Sequence, residues 1–162
     1  CQKPGDINPE SFIKAGRPSA SLFPLAAIVL TFHKVQENNH TTFDQGLWDN
    51  FVSEQISTCQ THGAEYSPVD PFQIVGLADD LSQVSFNGLR HPVDNSSGWF
   101  LWSGDYNDDD NFFKPYHIWH LMYSKPEVLK YLGLASGYRF LIDDEGYEDV
   151  WFDESLLLIS GG

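Results

Sequence analysis

Apolar residues recur at helical spacing in one early segment of the chain. Within residues 42–57, apolar side chains follow one another at intervals that place them on one face of a helix. We expect this helix to begin at a Thr41 or Thr42 cap, because threonine side chains cap helix N-termini well. The apolar positions are Phe43, Leu47, Trp48, Phe51, Val52 and Ile56.

The segment before this helix contains the longest apolar stretch, Leu22–Phe32, which includes Pro24. It is about half as long as the roughly 20 residues that a membrane-spanning helix needs. We therefore expect a buried strand or a core helix segment there. Residues 1–20 are polar and rich in breakers, which predicts an extended leader or tether.

From residue 72 onwards, short runs of β-branched and aromatic residues indicate strands. Asn87-Gly88 is typical of tight hairpin turns, so residues 83–86 are expected to pair with Leu89-Arg90 across it. The predicted strands cover residues 72–77, 83–86, 98–102, 138–142 and 147–152, with a turn at residues 143–146.

Helical spacing returns over Tyr116–Leu132, where Pro126 is expected to divide two short helices. Strands interspersed with a few helices predict an α+β fold with a mostly antiparallel sheet. We expect residues 21–162 to form a single domain, since 162 residues is an ordinary length for one.

The composition adds a strong charge imbalance to this picture. The chain carries 23 acidic and 9 basic residues, for a net charge of −14. Such a protein repels phosphate backbones and anionic membrane surfaces, so nucleic acids and membranes are not expected partners. The same charge favours fast association with a basic protein.

His117 and His120 are the best candidates for catalytic chemistry. A spacing of three on a helix would direct both rings from one face, as two metal ligands require. No HExxH pattern supplies a base, and packing or partner contact would also explain the pair. A metal-dependent hydrolase that uses them is the alternative to a binding protein.

The acidic loop at residues 105–111 resembles the opening of a calcium loop. However, Asp110 stands where the sharp turn needs glycine, and Tyr116 stands where a bidentate glutamate is required, so a high-affinity calcium site is excluded. No nucleophile elbow and no phosphate-binding glycine motif occurs either. We therefore expect no cofactor.

Seven acids and no lysine or arginine lie between residues 143 and 154. Alternation along a strand would place Tyr147, Asp149, Trp151 and Asp153 on one face, so at least one acid lies close to an aromatic core. Arg139 is the expected internal partner for one of these acids. Asp153 is also placed to cap a turn or a short helix.

Several of these segments together resemble the immunity protein thirty-three-like family of bacterial polymorphic toxin systems. They are residues 97–104, 112–121, 126–134, 137–142 and 146–157, so the resemblance covers roughly residues 75–158. The positions that carry it are Gly98, Trp99, Gly104, Pro115, His117, His120, Gly137, Arg139, Glu148, Asp149, Trp151 and Asp153. The chain departs from the family pattern in its acidic runs at residues 108–110 and 143–145.

The resemblance implies a small α+β protein without enzymatic activity that is encoded beside a secreted antibacterial toxin and neutralises that toxin by tight binding. Acids would stand in for the charge of the toxin's substrate, and a nuclease is one candidate toxin. Trp99, Trp102, Trp119 and Trp151 are candidate anchors or core residues. The predicted partner-binding residues are Trp99, Trp102, Asp105, Asp108, Asp109, Asp110, Asp143, Asp144, Glu145, Glu148, Asp149, Trp151 and Asp153.

The two cysteines bear on the compartment. Cys1 followed by a polar tether resembles a processed lipoprotein terminus, which would place the protein in the periplasm. A surface-tethered lipoprotein with a scaffolding role is therefore a third alternative. A nuclease toxin would instead be met in the cytoplasm, which is the compartment we expect. The sequence is compatible with a disulfide between Cys1 and Cys59 and does not specify an oligomeric state.

Overall fold

The computed structural model describes residues 42–158 of the chain. The predictions for the leader at residues 1–20, the apolar stretch Leu22–Phe32, and Cys1 lie outside the described residues. Helix α1 spans Gln45–His62. It is followed by β1 (Ile74–Ala78), β2 (Phe86–Arg90), β3 (Trp99–Ser103), β4 (Phe113–His117), a 3₁₀ turn (Ile118–His120), α2 (Leu121–Ser124), a 3₁₀ helix (Pro126–Tyr131), β5 (Tyr138–Ile142), β6 (Glu148–Phe152) and a last 3₁₀ turn (Glu154–Leu157).

The six strands form one mixed sheet in the order β4-β1-β3-β2-β5-β6. Only the β1–β3 pair is parallel, and the other four pairs are antiparallel. The sequence prediction of an α+β fold with a mostly antiparallel sheet is therefore confirmed. The strands at residues 98–102 and 138–142 and the turn after residue 142 also lie where the sequence predicted them, to within a residue.

Helix α1 begins later and ends later than predicted. Its N-terminal cap is Asp44, not Thr41 or Thr42, because the Asp44 carboxylate accepts a hydrogen bond from the Leu47 amide at 2.9 Å. The helix continues to His62, and Gly63 ends it at a positive φ of 63° that glycine adopts without strain. Ile56, one of the predicted apolar positions, is 39% exposed.

The predicted hairpin turn at Asn87-Gly88 is wrong, because both residues lie inside β2, which pairs with β3 and β5. Gly88 is needed there for a different reason: a side chain at this position would overlap the ring of Phe140 on β5. The Asn87 side chain is buried, and its amide nitrogen donates to the Gly104 carbonyl.

The predicted helix from Tyr116 also begins too early. Pro115, Tyr116 and His117 belong to β4, an edge strand where proline's missing N–H need not break a hydrogen-bonded ladder. The division at Pro126 is confirmed, since α2 ends at Ser124 and a 3₁₀ helix begins at Pro126.

Each face of the sheet carries an apolar cluster. On one face, α1, α2 and the 3₁₀ helix Pro126–Tyr131 pack against side chains that include Trp99 and Phe140. The other face holds a second cluster around Phe100 and Trp102, to which the last 3₁₀ turn adds Leu156. Because apolar clusters cover both faces, the polar connecting loops lie at the two ends of the sheet.

Candidate functional site

Three connecting loops meet at the same end of the sheet. The pairing register places Ser103 of β3 opposite Phe86 of β2, which in turn lies opposite Ile142 of β5. Ala78 of β1 lies opposite Phe113 of β4 at that same end. The loops at residues 79–85, 104–112 and 143–147 therefore converge, and we call them together the acidic end.

The acidic end concentrates negative charge. Its three loops contain no lysine, arginine or histidine, and nine of the chain's 23 acidic residues. All nine are exposed except Asp143, which is half-buried. They are Asp79, Asp80, Asp105, Asp108, Asp109, Asp110, Asp143, Asp144 and Glu145.

Hydrogen bonds fix the shapes of these loops. The Ser103 hydroxyl donates to the Asp80 carbonyl at 2.8 Å, and the Gly104 amide donates to the Ser85 carbonyl at 2.9 Å, so the first two loops are joined. In the third loop, the Asp143 carboxylate accepts from the amides of Glu145 and Tyr147 at 2.9 and 2.7 Å. The acids are therefore held on ordered turns, which preorganises their charge.

Two of the acidic side chains show how the turns are built. Asp80 accepts hydrogen bonds from the side chain and backbone of Ser82, which keep the pKa of the Asp80 carboxyl below its usual range. Asp109 accepts from the Asn111 amide at 2.7 Å. Each of these carboxylates stabilises its turn and also carries a negative charge at the surface.

Packed aromatic rings connect the loop at residues 104–112 to the end of the sheet. The Tyr106 ring lies 5.4 Å from the Phe112 ring and 5.9 Å from the Trp102 ring, measured between centroids. Burial, with a smaller contribution from the Asp108 charge, raises the pKa of the Tyr106 hydroxyl. This packing holds the loop close to the end of β3.

Asp79, Asp80 and Val84, which lie in the same loop, were not predicted from the sequence as site residues. The signal was an acidic pair directly after a strand, the same arrangement as Asp143-Asp144 after β5. Its meaning depends on the parallel pairing of β1 with β3, which together with the antiparallel pairs β3–β2 and β2–β5 brings the loops after β1 and β5 to one end of the sheet.

Trp99 and Trp102 were predicted as partner-binding anchors or core residues, and the structure places both in the core. Their exposed fractions are 1% and 0%, so neither can form part of a contact surface. The Trp99 indole N–H donates to the Leu132 carbonyl at 3.0 Å. Trp119 is also buried, whereas Trp151 is half-buried.

Glu148 and Asp153 were also predicted to bind the partner, but both already have partners within the chain. Glu148 accepts a hydrogen bond from the Tyr131 hydroxyl at 2.5 Å and lies 3.0 Å from the Lys130 ammonium. Burial opposes ionisation of Glu148, but these bonds outweigh it and hold the carboxyl pKa below its usual range. Burial likewise raises the pKa of Tyr131, and the bond to Glu148 adds to the effect.

The expected pairing of Arg139 with a nearby acid is confirmed for Asp153. The Arg139 guanidinium lies 3.1 Å from the Asp153 carboxylate, and both side chains are buried. Asp153 also caps the last 3₁₀ turn by accepting from the Ser155 amide, as the sequence predicted. Burial disfavours its charge, but Ser155 and Arg139 outweigh burial, so the pKa of this carboxyl is lowered.

Asp149 and Trp151, the remaining predicted residues of β6, are half-buried on one face of the edge strand. The Arg139 guanidinium lies 5.4 Å from the Trp151 ring centroid, a cation–π distance. Both residues are on the edge strand that follows the third loop, and Asp149 lies closer to that loop than Trp151.

His117 and His120 do not share a helix. His117 ends β4 and His120 belongs to the following 3₁₀ turn, yet their rings stack with centroids 5.8 Å apart and planes 18° apart. Within residues 42–158, no group of three or more histidine, cysteine, aspartate or glutamate side chains is arranged to hold a metal ion. Cys59 is a buried free thiol.

Comparison with known proteins adds a family to this geometry. The family model described as Imm33-like domain matches residues 54–153, which is more than half of the chain. The match begins in α1, before the segment around residue 75 where the sequence resemblance starts. No curated protein and no solved structure matches the chain. No helix of the described part is long and apolar enough to cross a membrane.

Proposed function

The chain belongs to the Imm33-like family, and from this premise we propose that it is an immunity protein that binds and neutralises a cognate antibacterial toxin through its acidic end. The observation that carries the proposal is the convergence of three acidic loops, with nine carboxylates and no basic side chain, at one end of the sheet. The protein acts by binding and not by catalysis.

The acidic end would occlude a site on the toxin that normally holds a negatively charged substrate. A nuclease fits this description, because its active site attracts phosphates. The ordered carboxylates would replace those phosphates without offering a bond to cleave. Such a toxin would be basic and would be met in the cytoplasm.

Carboxylates of this kind contribute mainly to the rate of association. Two unit charges about 10 Å apart in water interact by about 0.4 kcal/mol. Removing three carboxylates therefore weakens the attraction to one facing cation by roughly 1.2 kcal/mol, or about tenfold in rate, when salt is too dilute to screen it. At physiological salt the Debye length is about 8 Å, so the effect falls to about twofold.

The experiment measures association of the full chain with the product of the neighbouring toxin gene, by stopped flow at low and at physiological salt. The variant D108N/D109N/D110N keeps the side-chain acceptors of the turn and removes three charges. It should associate about tenfold more slowly at low salt and show a weaker salt dependence.

A matched control neutralises three exposed acids outside the acidic end, in the variant E65Q/D94N/E154Q. Both variants have the same net charge, so only the position of the charges differs. Equal association rates for the two variants would contradict the assignment of the acidic end. Absence of any complex with the wild-type chain would overturn the immunity function itself.

A further inference from the structure

A groove opens beside the third loop of the acidic end. It has a volume of about 250 Å³ and lies between the loop at residues 79–85, the 3₁₀ helix Pro126–Tyr131 and the end of β5. This volume is enough for one long side chain. The residues that matter for its chemistry are Val84, Phe86, Lys125, Glu127, Asp143 and Asp144.

The groove already receives one cation, from the chain itself. The Lys125 ammonium lies 5.3 Å from the centroid of the Phe86 ring, within the range of a cation–π interaction. The same ammonium is 2.6 Å from the Glu127 carboxylate. An aromatic ring and a carboxylate of the groove lining therefore already contact one positive charge.

The positive charge of Lys125 does not neutralise all the negative charge that lines the groove. Lys125 and Glu127 neutralise each other, whereas Asp143 and Asp144 add two further negative charges to the lining. The Asp143 carboxylate is fixed by its two backbone donors, so it can bind a further cation with little loss of side-chain entropy.

An apolar contact stands beside these charges. Val84 is 62% exposed in the groove, although valine is usually buried. Arginine combines an apolar stem with a planar cation that pairs bidentately with carboxylates. Val84 would contact the apolar stem of an arginine, and the Asp143 and Asp144 carboxylates that line the same groove would pair with its guanidinium.

We propose that this groove receives an arginine side chain of the toxin, with its stem against Val84 and its guanidinium on Asp143 and Asp144. The proposal rests on the proposed immunity function and adds an anchoring site to it. The loop at residues 104–112 would govern the association rate, whereas the groove would govern the dissociation rate, because a desolvated anchor acts after encounter.

The test compares dissociation rates of the complex formed with the product of the neighbouring toxin gene, at physiological salt. V84S and D143N/D144N should each accelerate dissociation about tenfold. The matched controls are L158S, which changes a residue that is 74% exposed outside the groove, and E65Q/D94N, which removes two charges from exposed positions elsewhere. Thermal unfolding of each variant confirms that the fold is intact.

Dissociation rates of the groove variants within about twofold of wild type would overturn the groove, while the complex itself would still support the immunity function. A failure of the wild-type chain to bind the toxin would remove both proposals. These two failures are therefore distinguishable.

A second measurement identifies the ligand chemistry without the toxin. N-acetyl-arginine amide is titrated into the labelled full chain and followed by NMR at Val84 and Lys125, with N-acetyl-citrulline amide as the neutral counterpart of the same shape. Shifts should occur with arginine only and disappear in D143N/D144N. Equal shifts with both probes, or none with either, would contradict a cation site.

Discussion

Lowering the pH should destabilise the fold by protonating one buried histidine, His91. This side chain is 1% exposed, and its Nδ1 lies 3.2 Å from the Leu156 carbonyl oxygen. Burial is the main cause that lowers the pKa of His91, to about 4; the bond to Leu156 partly offsets it, and the positive charge of Arg139 lowers it further. The nearby Asp153 carboxylate acts in the opposite direction but is smaller.

The sign and size of the effect follow from proton linkage. Unfolded His91 would titrate near its usual pKa of 6.5, so between pH 6.5 and 4 the unfolded chain binds more protons than the folded one. Stability contributed by neutral His91 is complete above pH 6.5 and is lost as the pH falls towards 4. At about 1.4 kcal/mol per pKa unit, the loss by pH 4.5 is about 2.5 kcal/mol.

The assay is urea unfolding followed by tryptophan fluorescence at several pH values between 7 and 4.5, with the free energy of unfolding extrapolated to water. The variant H91N keeps a donor for the Leu156 carbonyl and cannot be protonated in this range. Contributions of the other histidines and of the carboxylates are present in both proteins and cancel in the comparison. If H91N lost as much stability as wild type between pH 7 and 4.5, the reasoning would be refuted.

Three further changes test the packing, each by urea unfolding. Gly88→Ala should destabilise the fold by about 1–3 kcal/mol because the added Cβ overlaps the buried Phe140 ring, and an unchanged free energy would contradict this. Gly46→Ala in α1 meets only an ordinary contact and should stabilise by up to about 1 kcal/mol; a loss would be unexpected. Arg139→Met should destabilise by about 3–5 kcal/mol because it leaves the Asp153 carboxylate buried and unpaired. The double variant with Asp153→Asn should recover part of that loss.

The strands that sequence analysis placed correctly are those whose side chains alone specify the element. Residues 98–102 and 138–142 are dense in aromatic and aliphatic side chains, and glycine or acidic turns bound them. The turn prediction at Asn87-Gly88 was wrong because the same dipeptide suits two different situations, a tight turn or a close approach between strands. Only the position of Phe140 across the sheet decides between these, and that contact spans more than fifty residues of sequence.

The candidate site was predictable in part for a related reason. The acids at residues 105–110 and 143–145 stand out in the sequence, but their convergence depends on strand order. Exposure was not predictable either. Trp102 and Trp151 each lie within three residues of an acid in the sequence, yet Trp102 is fully buried and Trp151 is half-buried on the edge strand.

The residues that carry the family resemblance and the residues of the acidic end do different work in this structure. Trp99, Arg139, Glu148 and Asp153 belong to the resemblance, and all four bind partners within the chain. The acidic runs at residues 108–110 and 143–145 depart from it and face solvent from ordered turns. A substitution in the first group therefore removes buried contacts and destabilises the fold. Substitution of an exposed loop acid other than Asp109 and Asp143, whose carboxylates fix the turns, changes surface charge at little cost in stability, so one fold can present different charge patterns on these loops.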